Sequence, residues 1–259
     1  MRTTVIFATF IFVLTISCST KTQNSDNAST SKTEEIKQCE NKLPDSLQVT
    51  ISSTNLYIVS DTTEADFITA QKEYKTNLIA DTLNYSKKDN CLRLPISNNS
   101  TKKVSYCDTL LDAEDNPDYR KYSYRGYFPT IHYYLVECLL YENYSCDLVN
   151  LKTGSVTTIS GVPKLSPNNK FLANIIGMGG FGDIPFGFEI YTIDEKTKSI
   201  SKTKGIEQEV DEFNWYPLDF VWSGDKSLII KIISPKSKDY TDMNLERTKQ
   251  AIYKKIDLK

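Results

Sequence analysis

The sequence predicts a mainly β chain built from small antiparallel sheets, and three observations predict it. Short runs rich in Val, Ile, Tyr, Phe and Thr recur along most of its length. Between them stand Asn, Gly, Asp and Pro, the residue types that tight turns require. Long stretches of helical apolar periodicity are scarce.

Taken in order, 47–52 and 55–60 read as an opening hairpin. Asp61-Thr62-Thr63-Glu64 carries the pattern of a capping box and predicts a short helix running to about Lys75. Strands follow at 92–96, 103–107, 130–140, 146–151, 155–159, 171–176, 188–193, 199–203, 218–222, 228–233 and 251–258. Two stretches in the second half repeat one plan: a tight turn between two strands, a loop, then a strand carrying Ile-Tyr. The first joins Ser166-Pro167-Asn168-Asn169-Lys170 to Ile190-Tyr191, and the second joins Ser223-Gly224-Asp225-Lys226 to Ile252-Tyr253. Asn168-Asn169 and Gly224-Asp225 are residues that tolerate positive φ, as a two-residue hairpin turn demands. A weaker copy runs from Phe128 through Leu140 to Gly154.

These stretches resemble the blades of TolB-type and WD40-like β-propellers, in which a Ser-Pro-Asp-Gly-Lys turn precedes a strand and an Ile-Tyr strand follows. Asn168-Asn169 replaces Asp-Gly in one copy, and the Pro is missing from the other. The resemblance covers about Tyr127 to Lys259 and implies small or degenerate propeller-like antiparallel sheets. Open stacked sheets or a β-sandwich are the alternative. The run Trp215 to Trp222 also looks like the C-terminal part of uncharacterised secreted proteins, a likeness that brings no activity.

The N-terminus predicts an address. A short cationic start, Met1-Arg2, precedes an apolar stretch from Val5 to Leu14 that is too short for a membrane span. It ends in Thr15-Ile16-Ser17-Cys18, which resembles a lipobox, with Thr15 where Leu or Val is usual. The resemblance implies cleavage before Cys18, so that 1–17 is a signal peptide, and lipidation of Cys18 with a palmitate-type anchor. Residues 18–42 then form a tether, because Ser19 to Glu35 holds no aromatic residue and cannot bury enough apolar surface to offset its ordering entropy. The β-rich domain is expected over 43–259. The acidic export signal familiar just after the lipidated cysteine of some surface lipoproteins is absent from 19–24. The expected location is therefore the periplasmic side of the outer membrane.

An oxidising compartment permits disulfides. Reversal around Asn99 places Cys91 opposite Cys107, and a reversal centred on Glu142 places Cys138 opposite Cys146, so both pairs are disulfide candidates against buried free thiols. Cys39 is the odd one out.

Composition excludes several chemistries. A net charge of −2 with no basic block argues against nucleic acid as a partner. A single histidine, His132, in a strand-like run, leaves no basis for a zinc hydrolase or a histidine-based nucleophile pair, and no Gly-x-Ser-x-Gly elbow is present. Gly177 to Asp183 mimics a phosphate loop but leads into another strand rather than a helix. It reads instead as a glycine-aromatic loop at a sheet end, with Met178, Phe181 and Phe186 as candidate ligand contacts. Asp112 to Asp118 reads as a solvated acidic turn, lacking the glycine and distant glutamate of a calcium loop. Eight tyrosines between Tyr119 and Tyr144 suit half-buried strands, with a sugar or protein platform as the sharper alternative. No cofactor or metal is expected. The leading expectation is a non-enzymatic binding or scaffold lipoprotein of the cell envelope with a protein or glycan partner. The alternative is a carboxylate-based glycan hydrolase using Asp183, Glu189 or Asp219.

Overall fold

The structure is a computed structural model that describes residues 49–82, 85–96, 102–109, 116–176, 186–208, 214–238 and 249–259. The fold is mainly β, as the sequence predicts. Residues 42–259 form one compact unit. It holds three four-stranded antiparallel sheets and a two-stranded hairpin, none closed into a barrel.

The first sheet is an up-and-down meander of β4 (Arg120–Phe128), β5 (Tyr133–Leu140), β6 (Asn143–Asn150) and β7 (Val156–Ile159). The second repeats it with β8 (Lys164–Leu165), β9 (Phe171–Ile176), β10 (Phe186–Ile193) and β11 (Ile200–Gln208). The third takes β12 (Tyr216–Trp222), β13 (Ser227–Ile233) and β14 (Ile252–Leu258), and its outer strand comes from the other end of the chain: β1 (Tyr57–Asp61) pairs with β14. The hairpin is β2 (Cys91–Pro95) with β3 (Lys103–Cys107).

Alternating side chains join the sheets face to face. Leu135, Cys146 and Leu148 of the first sheet meet Leu165, Leu172 and Tyr191 of the second. On the other face of the second sheet, Ala173, Ile175, Phe188 and Ile190 meet Phe220, Trp222, Leu228 and Ile230 of the third. The stack is capped at both ends. Leu92, Leu94 and Tyr106 of the hairpin cover Tyr124, Val136 and Cys138 on the outer face of the first sheet. At the far end α1 (Glu64–Glu73) lays Phe67 and Ala70 on Val221, Ile229 and Tyr253 of the third. Among the described residues none of these clusters joins the hairpin to α1 or to the third sheet, and the small antiparallel sheets stay open. Each fully buried Leu or Ile stabilises the stack by roughly 1.5–3 kcal/mol.

Local chemistry explains most element ends. Thr63 caps α1 by accepting from the Asp66 amide at 3.1 Å, and Asp66 accepts in return from the Thr63 amide, also at 3.1 Å. In the β8–β9 turn the buried Ser166 hydroxyl donates to Asn168 Oδ1 at 2.8 Å and accepts from the Phe171 amide at 3.0 Å, while Asn169 takes the left-handed conformation at φ 61°. The corresponding turn before β13 differs from expectation. Neither Gly224 nor Asp225 has positive φ, and the turn closes instead through the Ser223 amide on the Ser227 carbonyl at 2.9 Å.

Three further expectations are corrected. β5 begins at Tyr133, three residues later than expected, because His132 occupies a left-handed turn position at φ 62° instead of extending the strand. The opening hairpin is half formed: β1 is a strand, whereas 49–54 is irregular, and Ser53 Oγ accepts from the Val59 amide at 2.8 Å. The expected Cys138–Cys146 pair does not exist. The turn is Tyr141-Glu142, with Glu142 at φ 49°, so Cys138 opposes Ser145 and Cys146 opposes Glu137. That one-residue difference in register sends the two thiols to opposite faces of the sheet. Both are free and buried, and burial pushes each pKa up to about 12. Cys91 and Cys107, by contrast, stand opposite one another in the hairpin and form a disulfide.

Candidate functional site

A largely apolar recess of about 270 Å³ opens where all three large sheets come near one another. Its walls are Tyr144 from β6, Val162 and Lys164 at the entry to β8, Ile175 from β9, and Leu218, Asp219 and Phe220 from β12. Two backbone irregularities create it. β8 is only two residues long, so its lead-in passes β9 without a full ladder, and Gly161 lies so close to the Ile175 carbonyl that a Cβ there would collide with it. In β12 the register shifts between Pro217 and Asp219, leaving Leu218 as a bulged, half-buried residue turned toward the recess.

Charge inside the recess is neutralised in place. Lys164 Nζ donates to Asp219 Oδ1 at 2.8 Å and to the Phe220 carbonyl, and it lies 4.6 Å from the centre of the Phe220 ring. The Lys164 carbonyl accepts from Trp222 Nε1 at 2.8 Å. Asp219 Oδ2 accepts from Gln71 Nε2 of α1 at 3.2 Å. The pair thus ties the second sheet, the third sheet and the helix together at the recess wall.

A second polar cluster stands beside it in the chain, through Asn174 next to Ile175 and Ser160 two residues before Val162. Glu189, 5% exposed, accepts from Lys202 Nζ at 2.8 Å, from Asn174 Nδ2 at 2.8 Å and from the Ser160 amide at 3.3 Å. Burial pushes the Glu189 carboxyl up, but Lys202 and Asn174 outweigh it and hold the group below the ordinary glutamate value. Asn174 Oδ1 is buried without a hydrogen-bond partner among the described residues. In the first sheet, Tyr144 donates to Glu137 Oε1 at 2.6 Å, and Arg125 lies 3.7 Å from the other oxygen of Glu137.

The residues singled out from sequence fall unevenly around this geometry. Asp219 lines the recess and Glu189 stands beside it, each engaged by a lysine. Cys18, Cys39, Met178, Phe181, Asp183 and 112–115 lie outside the described residues, as does the side chain of Phe186, whose backbone opens β10. All eight tyrosines from Tyr119 to Tyr144 are buried or half-buried, and several fill the core: Tyr85, Tyr124 and Tyr134 pack edge to face, and Tyr106 packs against Tyr122 with ring centres 5.0 Å apart. They offer no open aromatic platform. Among the described residues no group of three or more His, Cys, Asp or Glu is placed to hold a metal ion, and no helix is long and apolar enough to cross a membrane.

Val162, Lys164 and Leu218 escaped the sequence reading. A bulge and a shortened strand set their places, and the only local signal was Pro217, which cannot donate to a ladder. Comparison with known proteins finds no matching family, no matching curated protein and no matching solved structure.

Proposed function

We propose that the chain is a lipid-anchored, non-enzymatic binding module of the cell envelope, tethered through Cys18, that takes up an apolar side chain of a partner protein in the recess between Val162, Ile175 and Leu218. The observation that carries this reading is the pairing of every acid at the recess. A general acid for glycan hydrolysis needs a carboxyl that keeps its proton near neutrality, with a second carboxylate facing it. Glu189 is held in the opposite direction and Asp219 is bound by Lys164. A protein partner is favoured over a glycan. The recess is about the size of one large side chain, and its rim carries exposed Val162, with Leu139 exposed beside Tyr144 in the ladder. Sugars would call for open aromatic faces, whereas the Phe220 ring already carries the Lys164 ammonium.

The test is site-specific photocrosslinking in intact envelopes, with the crosslinker at Val162 or at Ile58, which is exposed on β1. A discrete protein adduct from Val162 alone, lost in Leu218→Asp, supports the reading. Equal labelling from both sites, or none from Val162, overturns it. The anchor is tested separately by metabolic labelling with a palmitate analogue: incorporation should vanish in Cys18→Ser, and its persistence there would overturn the lipid assignment.

A further inference from the structure

The Cys91–Cys107 disulfide lies in a hairpin outside the three four-stranded sheets. β2 and β3 pair only with one another, and a two-stranded hairpin is marginal in water unless something fastens it. The disulfide joins its end rung, Cys91 opposite Cys107, and Cys107 is exposed. The turn leading into that rung is a two-residue reversal closed by Lys88 and Cys91, with Asp89 and Asn90 in left-handed backbone at φ 52° and 56°. Yet this hairpin covers a large apolar surface, since Leu92, Leu94 and Tyr106 close the outer face of the first sheet over Tyr124, Val136 and Cys138.

We propose that Cys91–Cys107 is a reversible redox site, exchanged by a dithiol reductant, and that its reduction lifts the hairpin and opens the outer face of the first sheet. The reaction balances within the pair. A thiolate of the reductant attacks the exposed Cys107 sulfur, the Cys91 thiolate leaves and takes a proton, and the second thiol of the reductant resolves the mixed disulfide to release Cys107 as a thiol. The reductant leaves as its own disulfide. The rest of the stack is not fastened this way, because the second and third sheets hold no cysteine among the described residues. This inference does not depend on the recess or its partner.

The two free thiols make the test internal. Cys138 lies under the hairpin, opposite Tyr122 in the ladder, and the Tyr122 ring packs on Tyr106, the neighbour of Cys107. Cys146 lies on the other face of the same sheet, under the second sheet. The native protein is pulsed with a maleimide with and without a phosphine reductant, and modified peptides are mapped by mass. Cys138 should gain reactivity about tenfold or more on reduction, while Cys146 stays protected. A Cys91→Ser/Cys107→Ser variant should show the same pattern with no reductant. If Cys138 stays protected in both experiments, the hairpin does not open and the proposal fails. Equal reactivity of Cys138 and Cys146 would signal general unfolding and also overturn it.

Discussion

At the scale of single residues, the pair Glu189 and Lys202 makes part of the second sheet's stability depend on pH. Folding takes Glu189 out of water, and it keeps its charge because Lys202 and Asn174 compensate. Its folded pKa is lowered, so its contribution to stability is present above the ordinary glutamate value and is lost as pH falls through the folded one. Lys202→Met removes the compensation. Lys202 is about half exposed, so the cost at pH 7 is discounted from the full buried-pair range to about 2 kcal/mol. At low pH both proteins carry neutral Glu189, and the difference should shrink toward zero. Urea unfolding at the two pH values checks this, and a penalty that stayed constant with pH would contradict it. Residue identity alone showed that Glu189 was an acid in a strand; its partners come from neighbouring strands and a preceding turn. The cysteines teach the same limit. The Cys91–Cys107 opposition was legible from spacing because the hairpin register happens to agree with it. For Cys138 and Cys146, a turn shorter by one residue reversed the outcome, and sequence spacing does not separate the two turns.

At the scale of elements, strands with alternating or continuous apolar patterns were legible, and so was α1, although its capping box sits at Thr63 and Asp66, two residues beyond the Asp61 to Glu64 pattern. β4 was not. Arg120-Lys121-Tyr122-Ser123-Tyr124-Arg125-Gly126-Tyr127-Phe128 mixes charges with tyrosines, and its fit to the sheet depends on a bulge between Tyr124 and Gly126. At Gly126, φ is 136° and a Cβ would strike the Ile79 carbonyl, whose segment bridges to Tyr127. No pattern within β4 announces a contact made by a strap so far upstream. Gly161 is the equivalent case at the recess, and it carries a prediction. Gly161→Ala places a Cβ against the Ile175 carbonyl, so the lead-in to β8 must move away from β9. The expected result is a loss of about 1–3 kcal/mol, the usual cost of overpacking, together with loss of any crosslink from Val162. A variant as stable as the parent, with the crosslink retained, would show that the lead-in is looser than the geometry indicates.

At the scale of the whole molecule, the chain closes its third sheet with its own beginning. β1 completes β12, β13 and β14, and Val49, Ile51 and Tyr57 fill the core between the second and third sheets. The repeats in the second half foretold sheets of one plan, but no repeat marks β1 as the missing strand, because a strand supplied from elsewhere in the chain lacks the turn that identifies its siblings. The consequence separates tether from fold. Ser19 to Glu35 holds no aromatic residue and little apolar surface to bury, so deleting 25–40 should leave the thermal midpoint of the mature chain unchanged. Extending the deletion through Asp61 removes three buried side chains worth roughly 1.5–3 kcal/mol each and leaves β14 as an open edge. That loss is a large share of the roughly 5–15 kcal/mol that holds a domain together. The longer deletion should therefore melt at a much lower temperature or aggregate. A shift of only a few degrees would mean that β1 is an accessory to the third sheet. Destabilisation by the short deletion would mean that the segment after Cys18 packs on the fold instead of serving as a tether.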